Sequence, residues 1–294
     1  MKKKLRILIT GSNGFVGKNL KYYLKSKKNL KVFVDNKKKY NLSKNEKFKK
    51  LILFSKPDII IHLASRTVSG IKSPRENKLQ YENTFRPVKN LLANTKYSKN
   101  LRKIIFTGSI EEYGRARTPF RENRKAKPIS SYGKFKLKSL KYIMKKLKNK
   151  KISYIWLRPC LMFGPNDNKR RFLGSILNGA KNKEVINIFL GQQVRDYMYI
   201  NDFNKFIYNQ LIYKNFLENI ILNVTNENWI SLNWLLRRLN FITKGKVEKY
   251  FKIIKDEDQS KLINSGKLLR KKFPKFKFTN FQIALRDTIK DYKI

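Results

Sequence analysis

The first 160 residues alternate short apolar runs with longer stretches whose apolar residues recur at helical spacing. The runs predict strands at Arg6–Thr10, Lys31–Val34, Ile59–Leu63, Lys103–Thr107 and Ser153–Arg158, each apolar enough to be buried on both faces. The stretches between them predict helices at Gly17–Ser26, Lys44–Ser55, Tyr81–Thr95 and Tyr132–Lys148. Pro57-Asp58 marks a turn into the third strand, and Pro128 with Ser130-Ser131 marks a loop and N-cap before the last of these helices. Strand and helix in strict alternation are the pattern of βαβ units on a parallel sheet. After Arg158-Pro159 the alternation stops, and Phe163-Gly164-Pro165-Asn166 is turn chemistry. There is no internal repeat, heptad array or low-complexity linker. Residues 1–165 therefore read as one domain, completed by about 188–215, and 166–294 mainly as a smaller, irregular α/β domain interleaved with it. Such a pair is expected to leave a ligand cleft at the carboxyl ends of the strands.

The first predicted strand runs straight into Gly11-Ser12-Asn13-Gly14-Phe15-Val16-Gly17. Strand, glycine-rich turn and helix start in that order make a pyrophosphate site. Gly11 permits the tight turn, Gly14 lets backbone approach a phosphate, and Gly17 lets the helix pack close to the strand. The helix N-terminus supplies N–H groups and partial positive charge. The fold class expected is thus a Rossmann doubly wound parallel sheet. Asp35 ends the second strand, 24 residues after Gly11, where an acidic side chain meets the adenosine ribose hydroxyls in NAD sites. Asn36 follows it. Asp35 would repel the 2′-phosphate of NADP, whereas Lys37, Lys38 and Lys39 would offset that repulsion, so NAD is expected with NADP also open.

Composition changes the picture in one respect. The chain has 294 residues, 69 Lys and Arg against 20 Asp and Glu, and a formal net charge of +49. That excess attracts anions of every kind, nucleic acid included. The lysines are spread along the chain, however, with runs at Lys2–Lys4, Lys145–Lys151 and Lys275–Lys277. No RNA-binding aromatic motif or zinc knuckle accompanies them, so nucleic acid is not the expected partner. Met1 to Lys4 resembles the basic start of a leader, but Leu5–Ile9 is too short for its apolar region and reads as a strand. Cys160 is the only cysteine, which precludes an internal disulfide and is compatible with a reducing cytoplasm. His62 is the only histidine, and with no second ligand cluster no metal site is expected. His62 reads as a core or cofactor-adjacent residue, and Cys160 as a packed thiol and not a nucleophile. The aromatic residues Tyr197, Tyr199, Phe203 and Phe206 read as strand-then-helix core, and Trp229 and Trp234 as core of the small domain.

Tyr132 and Lys136 stand four residues apart, on one face of a helix. A phenol titrates at about 10, and a neighbouring ammonium favours phenolate and lowers that value. Ser109, at the end of the fourth strand, offers a hydroxyl beside them. Glu111 and Glu112 form either a proton-transfer pair or a surface turn.

Taken in order, Thr10–Gly17, Asp35, Pro57–Ser65, Thr107–Gly114, Ser131–Lys136, Arg158–Pro165 and Gly191–Asp202 resemble the NAD-dependent epimerase/dehydratase group of the extended short-chain dehydrogenase/reductases. The resemblance runs over nearly the whole chain. It implies catalytic roles at Ser109, Tyr132 and Lys136, with Glu111 beside them. It also implies cofactor contacts at Leu63, Ala64, Ser65, Asn83 and Pro159, and substrate contacts at Ser109, Asn166 and Arg195. A homodimer built on the Tyr132 helix, and a place in surface-polysaccharide sugar synthesis, are implied too. Two positions depart from the family. The 4,6-dehydratases carry an Asp-Glu pair where this chain has Ile110-Glu111, and isoleucine has no proton to donate. Epimerases carry a substrate-binding Asn where this chain has Leu161. The expectation is an NAD(P)-dependent enzyme acting at C4 of a nucleoside-diphosphate sugar, as epimerase or 4-ketoreductase. The rival is a non-catalytic nucleotide- or RNA-binding protein on the same scaffold.

Overall fold

A computed structural model describes residues 3–36, 39–68, 73–167, 171–190, 192–212, 218–255 and 260–294. The chain begins β1 (Leu5–Thr10), α1 (Phe15–Lys25), β2 (Leu30–Val34), α2 (Asn45–Ser55), β3 (Ile59–His62) and α3 (Pro74–Gln80). It continues α4 (Arg86–Asn94), β4 (Lys103–Thr107), α5 (Ser131–Leu147), β5 (Ser153–Pro159), β6 (Leu161–Phe163) and α6 (Phe172–Asn182). Then come β7 (Ile186–Leu190), β8 (Val194–Tyr199), α7 (Ile200–Ile212), β9 (Ile220–Val224), β10 (Asn228–Ser231) and α8 (Leu232–Ile242). It closes with β11 (Phe251–Lys255), β12 (Lys261–Leu262), α9 (Lys267–Lys272) and α10 (Phe281–Tyr292).

Two compact units result. The first comprises Met1–Arg117, Glu122–Pro159 and Ile207–Leu222, and the second Thr118–Arg121, Cys160–Phe206 and Asn223–Ile294. The stretch that returns to the first unit begins at Ile207 and not near 188, because β7 and β8 pair with β11, β10 and β12 of the second unit.

The first unit is built on a sheet of order β2-β1-β3-β4-β5-β9. Its first five strands pair in parallel, with Ile7 opposite Ile59, Ile60 opposite Ile104, and Ile104 opposite Tyr154. This is the Rossmann arrangement, in which β1 and β3 lie side by side with crossover helices on the faces. The β-branched runs suit strands that are covered on both sides: every residue of β3 and β5 is buried. One face packs Leu8, Ile60, Ile104 and Trp156 against Phe48 and Leu51 of α2, Leu91 of α4 and Leu140 of α5. Each such buried side chain contributes about 1.5–3 kcal/mol by removal from water.

The predicted helix at Tyr81–Thr95 is instead two helices joined through a π-helical turn, Tyr81–Phe85. α3 starts earlier than expected because the Ser73 hydroxyl accepts the Glu76 N–H and Pro74 occupies the first turn. Pro87 lies in the first turn of α4, where its missing N–H is tolerated. Sequence patterning also missed β9 and the short strands of the second unit, whose lengths of two to six residues leave little alternation to read.

In the second unit Tyr197, Tyr199, Phe203 and Phe206 are buried as expected. Trp229 and Trp234 are not core: each is 42% exposed. Ser231 caps α8 by accepting the Trp234 N–H, and that start leaves the indole of Trp234 on the solvent side. Cys160 is a buried, packed thiol beside Asp196, and burial pushes its pKa up. No helix among the described residues is long and apolar enough to cross a membrane.

Asp196 is fully buried, accepting from the Thr225 hydroxyl at 2.6 Å and the Asn264 N–H at 3.2 Å. Burial raises its pKa from an ordinary 3.8 to about 7. The folded state therefore binds the extra proton, and this contribution to stability, on the order of 4 kcal/mol, is lost as pH rises from about 4 to 7. Urea unfolding of the wild type and Asp196→Asn across that range should show the variant gaining stability relative to wild type as pH rises. A difference that does not change with pH would refute the assignment.

Candidate active site

At the carboxyl ends of β1, β2 and β3 lies a cavity of about 430 Å³ walled by Gly11, Asn13, Gly14, Asp35, Ala64, Ser65 and Asn83, among others. The turn after β1 is drawn tight against β3. Gly11 has φ of +76°, and a Cβ on it would lie 2.6 Å from the Ala64 nitrogen. A Cβ on Gly17 would lie 2.1 Å from the Gly11 carbonyl oxygen, so α1 approaches the turn as closely as backbone permits. α1 has Gly14 as its N-cap, with no side-chain cap and no acidic residue in its first turn. Its partial positive end is left for an outside anion.

The Asp35 carboxylate accepts from the Gly11 N–H and the Ser12 N–H, each at 2.9 Å. The Ser12 hydroxyl donates back to the Asp35 carbonyl. The end of β2 is thereby clamped to the glycine turn. A carboxylate has about four lone-pair sites, so two acceptor positions remain for hydroxyls. Asn36 is exposed at the rim, while Lys37 and Lys38 lie outside the described residues. Phe15 and Val16 are half-buried in the first turn of α1, and Leu63 is half-buried after β3. Asn83, on the π-helical turn, donates its side-chain amide to the Leu79 carbonyl.

A second cluster forms at the end of β4. Tyr132 shares hydrogen bonds with the Ser65 and Ser109 side chains. The Lys136 ammonium donates to the Thr107 carbonyl at 2.6 Å and lies 5.6 Å from the Tyr132 ring centroid. Ser109 caps a 3₁₀ turn, Ile110–Glu112, its hydroxyl accepting the Glu111 N–H at 3.2 Å. Ser130 caps α5 by accepting the Gly133 N–H at 3.0 Å and donates to the Glu111 carboxylate at 2.5 Å. Gly133 is required between Tyr132 and Lys136, since a Cβ there would meet the Glu111 carbonyl oxygen at 2.5 Å. The reading of Glu111 and Glu112 as one pair does not hold. Glu111 faces Ser130, and Glu112 is fully buried in an ion pair with Arg158.

Burial dominates the electrostatics. The Tyr132 phenol is pushed above its ordinary value by desolvation and next by the Glu111 charge, against the sequence expectation of a lowered pKa. The reason lies in where Lys136 points: its ammonium is taken up by a backbone carbonyl, and burial brings its own pKa down to about 8. His62 is buried with Nδ1 2.8 Å from the Thr10 hydroxyl, and burial followed by the Lys136 charge lowers its pKa to about 3.

Pro159 ends β5, buried in the first unit. Asn166 and Arg195 belong to the second unit. Asn166 is exposed, with φ of +60°, and its N–H donates to the Asp291 carboxylate. The Arg195 guanidinium donates to the Ser260 carbonyl at 2.7 Å and to the Val194 carbonyl at 3.2 Å. Sequence reasoning missed the cavity wall at Tyr40–Ser43 and Arg66–Val68. Arg66 is held by Glu76 through two short contacts, at 2.9 Å each from Nε and Nη2. Ten residues separate them, a spacing no local pattern flags. Among the described residues no cluster suited to a metal occurs.

A parallel sheet with a glycine turn after its first strand and a cavity at the strand ends makes this a dinucleotide-fold α/β protein. Residues 7–224 match the model of the NAD dependent epimerase/dehydratase family, and the chain belongs to that family. It is 25% identical over 302 residues to GDP-6-deoxy-D-talose 4-dehydrogenase of Aggregatibacter actinomycetemcomitans, over 98% of each chain. It is 29% identical over 271 residues to dTDP-4-dehydro-6-deoxyglucose reductase of Escherichia coli, covering 81% of this chain and 82% of that one. Among solved structures, a GDP-L-fucose synthetase from Naegleria fowleri bound to NADP shares the fold. Its TM-score is 0.84 at 17% identity, covering 100% of this chain and 94% of that one.

With its folded pKa near 3 and an ordinary value of 6.5, His62 opposes Asp196. The unfolded chain binds more protons between those values, so this contribution to stability is lost as pH falls through them. His62→Gln should become more stable relative to wild type as pH falls from 7 to about 4, by chemical denaturation. A pH-independent difference would show that His62 is not buried neutral.

Proposed function

We propose that this chain is an NAD(P)-dependent enzyme acting at C4 of a nucleoside-diphosphate sugar, working first of all as a 4-ketoreductase. The observation that carries the reading is the convergence of Ser65, Ser109, Tyr132 and Lys136 at the strand ends beside the glycine turn. The cradle suits a dinucleotide: no side chain fits at Gly11 or Gly17, the helix start is uncapped, and Asp35 keeps acceptor positions for ribose hydroxyls. When bound, the nicotinamide exchanges hydride with the sugar carbon.

The rest falls to the protein. Tyr132 gives a proton to the C4 oxygen in reduction, and Ser109 donates a hydrogen bond to the same oxygen. A phenol that burial keeps protonated is ready to give that proton. Lys136, through Thr107 and its position under the ring, holds the phenol in place. Arg195 and Asn166 are proposed to meet the diphosphate and sugar, a guanidinium fork being suited to phosphate. Ile110, at the position of the dehydratase acid, speaks against elimination of water. The 4-dehydrogenase and 4-dehydro reductase names of the two relatives point the same way.

The test is oxidation of NADH or NADPH in the presence of nucleoside-diphosphate 4-keto-6-deoxyhexoses. Turnover is expected, and Tyr132→Phe should lower kcat by about 100-fold or more with KM little changed. Gly11→Ala should abolish the fluorescence enhancement of bound NADH. Absence of turnover combined with epimerisation of ordinary nucleotide sugars would replace the reductase by the epimerase. Silence in both, with salt-sensitive RNA retention, would favour a non-catalytic binder.

A further inference from the structure

Glu112 is a carboxylate placed where water does not reach. Its side chain is 0% exposed, and Arg158, its ion-pair partner at 2.9 Å, is 3% exposed. Oε1 accepts the Ser109 N–H at 2.8 Å and the Trp156 indole N–H at 3.0 Å, while Oε2 accepts from Arg158 Nε. There is no slack around it, since a Cβ on Gly108 would lie 2.3 Å from both Glu112 Oε1 and Trp156 Nε1. Burying two charges is seldom a gain in stability over apolar packing, so a role only in folding leaves the choice of glutamate unexplained. What the carboxylate touches is the peptide nitrogen of Ser109, whose hydroxyl and the Tyr132 phenol are joined by a hydrogen bond.

We propose that Glu112 is a positioning residue: its carboxylate fixes the Ser109 peptide and is the buried countercharge that keeps the Lys136 ammonium in place. This rests on the catalytic reading of Ser109, Tyr132 and Lys136 above. The groups that act on Lys136 or feel it come from three elements. Tyr132 lies on its own helix, His62 on β3 and Glu112 on the turn after β4, where Arg158 of β5 pairs with it. Of these only Glu112 is an acid; burial pushes its pKa up, and the Arg158 charge with the Ser109 and Trp156 N–H donors opposes that and favours the carboxylate. Its charge opposes the desolvation that drives the Lys136 pKa down. Without it Lys136 gives up its proton at a lower pH, and the Lys136–Thr107 contact loses its charge assistance.

The experiment compares Glu112→Gln, Glu112→Asp and Arg158→Lys with wild type. Lys136 is titrated by trace acetylation read by mass spectrometry, and kcat and KM are followed against pH with NADH and a 4-keto-6-deoxy nucleotide sugar. Glu112→Gln breaks the buried pair and Arg158→Lys disturbs its geometry, so both should melt lower. Only Glu112→Gln is expected to move the Lys136 midpoint down, by about one pH unit or more, and to lower kcat about tenfold with KM little changed. Arg158→Lys keeps the cation that holds Glu112 ionised, leaves the carboxylate on Ser109 and should not move the midpoint down. Glu112→Asp keeps the charge but withdraws it by one methylene, so the midpoint should stay while kcat falls; this variant decides the question if Glu112→Gln does not fold. Equal effects in Glu112→Gln and Arg158→Lys, or an unmoved Lys136 midpoint in Glu112→Gln, would overturn the proposal while leaving wild-type turnover to stand. A shifted midpoint in a protein that turns over no nucleotide sugar would uphold the countercharge and overturn the function assigned to the site.

Discussion

The contact between the Gly11 backbone and the end of β3 governs the geometry of the whole first unit. With φ at +76° and the Ala64 nitrogen 2.6 Å from where a Cβ would stand, the turn after β1 lies directly on the chain leaving β3. Three further placements follow from it. α1 begins against the same turn, because Gly17 adds no atoms between them. Asp35 reaches the turn's N–H groups, which locks β2 beside β1. Ser65, the residue after the contact, reaches the Tyr132 phenol of α5. A side chain at position 11 would push the turn and β3 apart, and the glycine cradle and the tyrosine cluster would lose register together.

Desolvation is the larger force at the titratable groups of the site. Burial is the first cause of the shift at Tyr132, Lys136 and His62 alike, and in each it favours the neutral form. A neutral phenol, an amine titrating near neutrality and a neutral imidazole form a site with little fixed charge of its own. Such a site lets small rearrangements of proton and charge matter, since each interaction is weakly screened. It also explains why a single buried carboxylate next door carries weight.

The sheet was legible because its strands are short, apolar and bounded by turns. Predicted and observed limits of the first five strands differ by at most one residue at either end. The glycine turn, Asp35, Ser109 and the Tyr132–Lys136 pair were legible because their chemistry is local: spacing along one helix or at one strand end fixes the geometry. What sequence could not give was the partner of a charge. Glu112 and Arg158 are 46 residues apart, and they meet because β4 and β5 are neighbours in the sheet. The direction of the Tyr132 shift failed for the same reason. The i to i+4 rule puts Lys136 near the ring but does not say that Thr107 captures its ammonium. Trp229 and Trp234 were misplaced because apolar size suggests burial, whereas the cap at Ser231 and the pairing of β10 decide which face of the chain turns inward.

The charge imbalance takes on a different meaning once the acids are located. Only 20 of 294 residues are acidic, yet several of them occupy load points of the backbone. Asp35 holds the glycine turn, and Asp58 accepts the Arg6 N–H between β1 and β3. Glu76 fixes Arg66, Glu112 fixes Ser109 and Arg158, and Asp202 takes both the N–H and the hydroxyl of Thr279. Lysines, by contrast, sit mostly on exposed positions, where a long stem keeps the ammonium hydrated and exchange of one residue for another costs little. A surface can drift toward lysine without disturbing such a fold, but an acid that satisfies buried N–H groups has no lysine substitute, because ammonium only donates. The +49 charge is therefore a property of the surface laid over a frame whose acids remain where hydrogen bonding requires an acceptor. That division accounts for an ordinary nucleotide-sugar fold inside an extraordinarily basic chain without assigning nucleic acid as its partner.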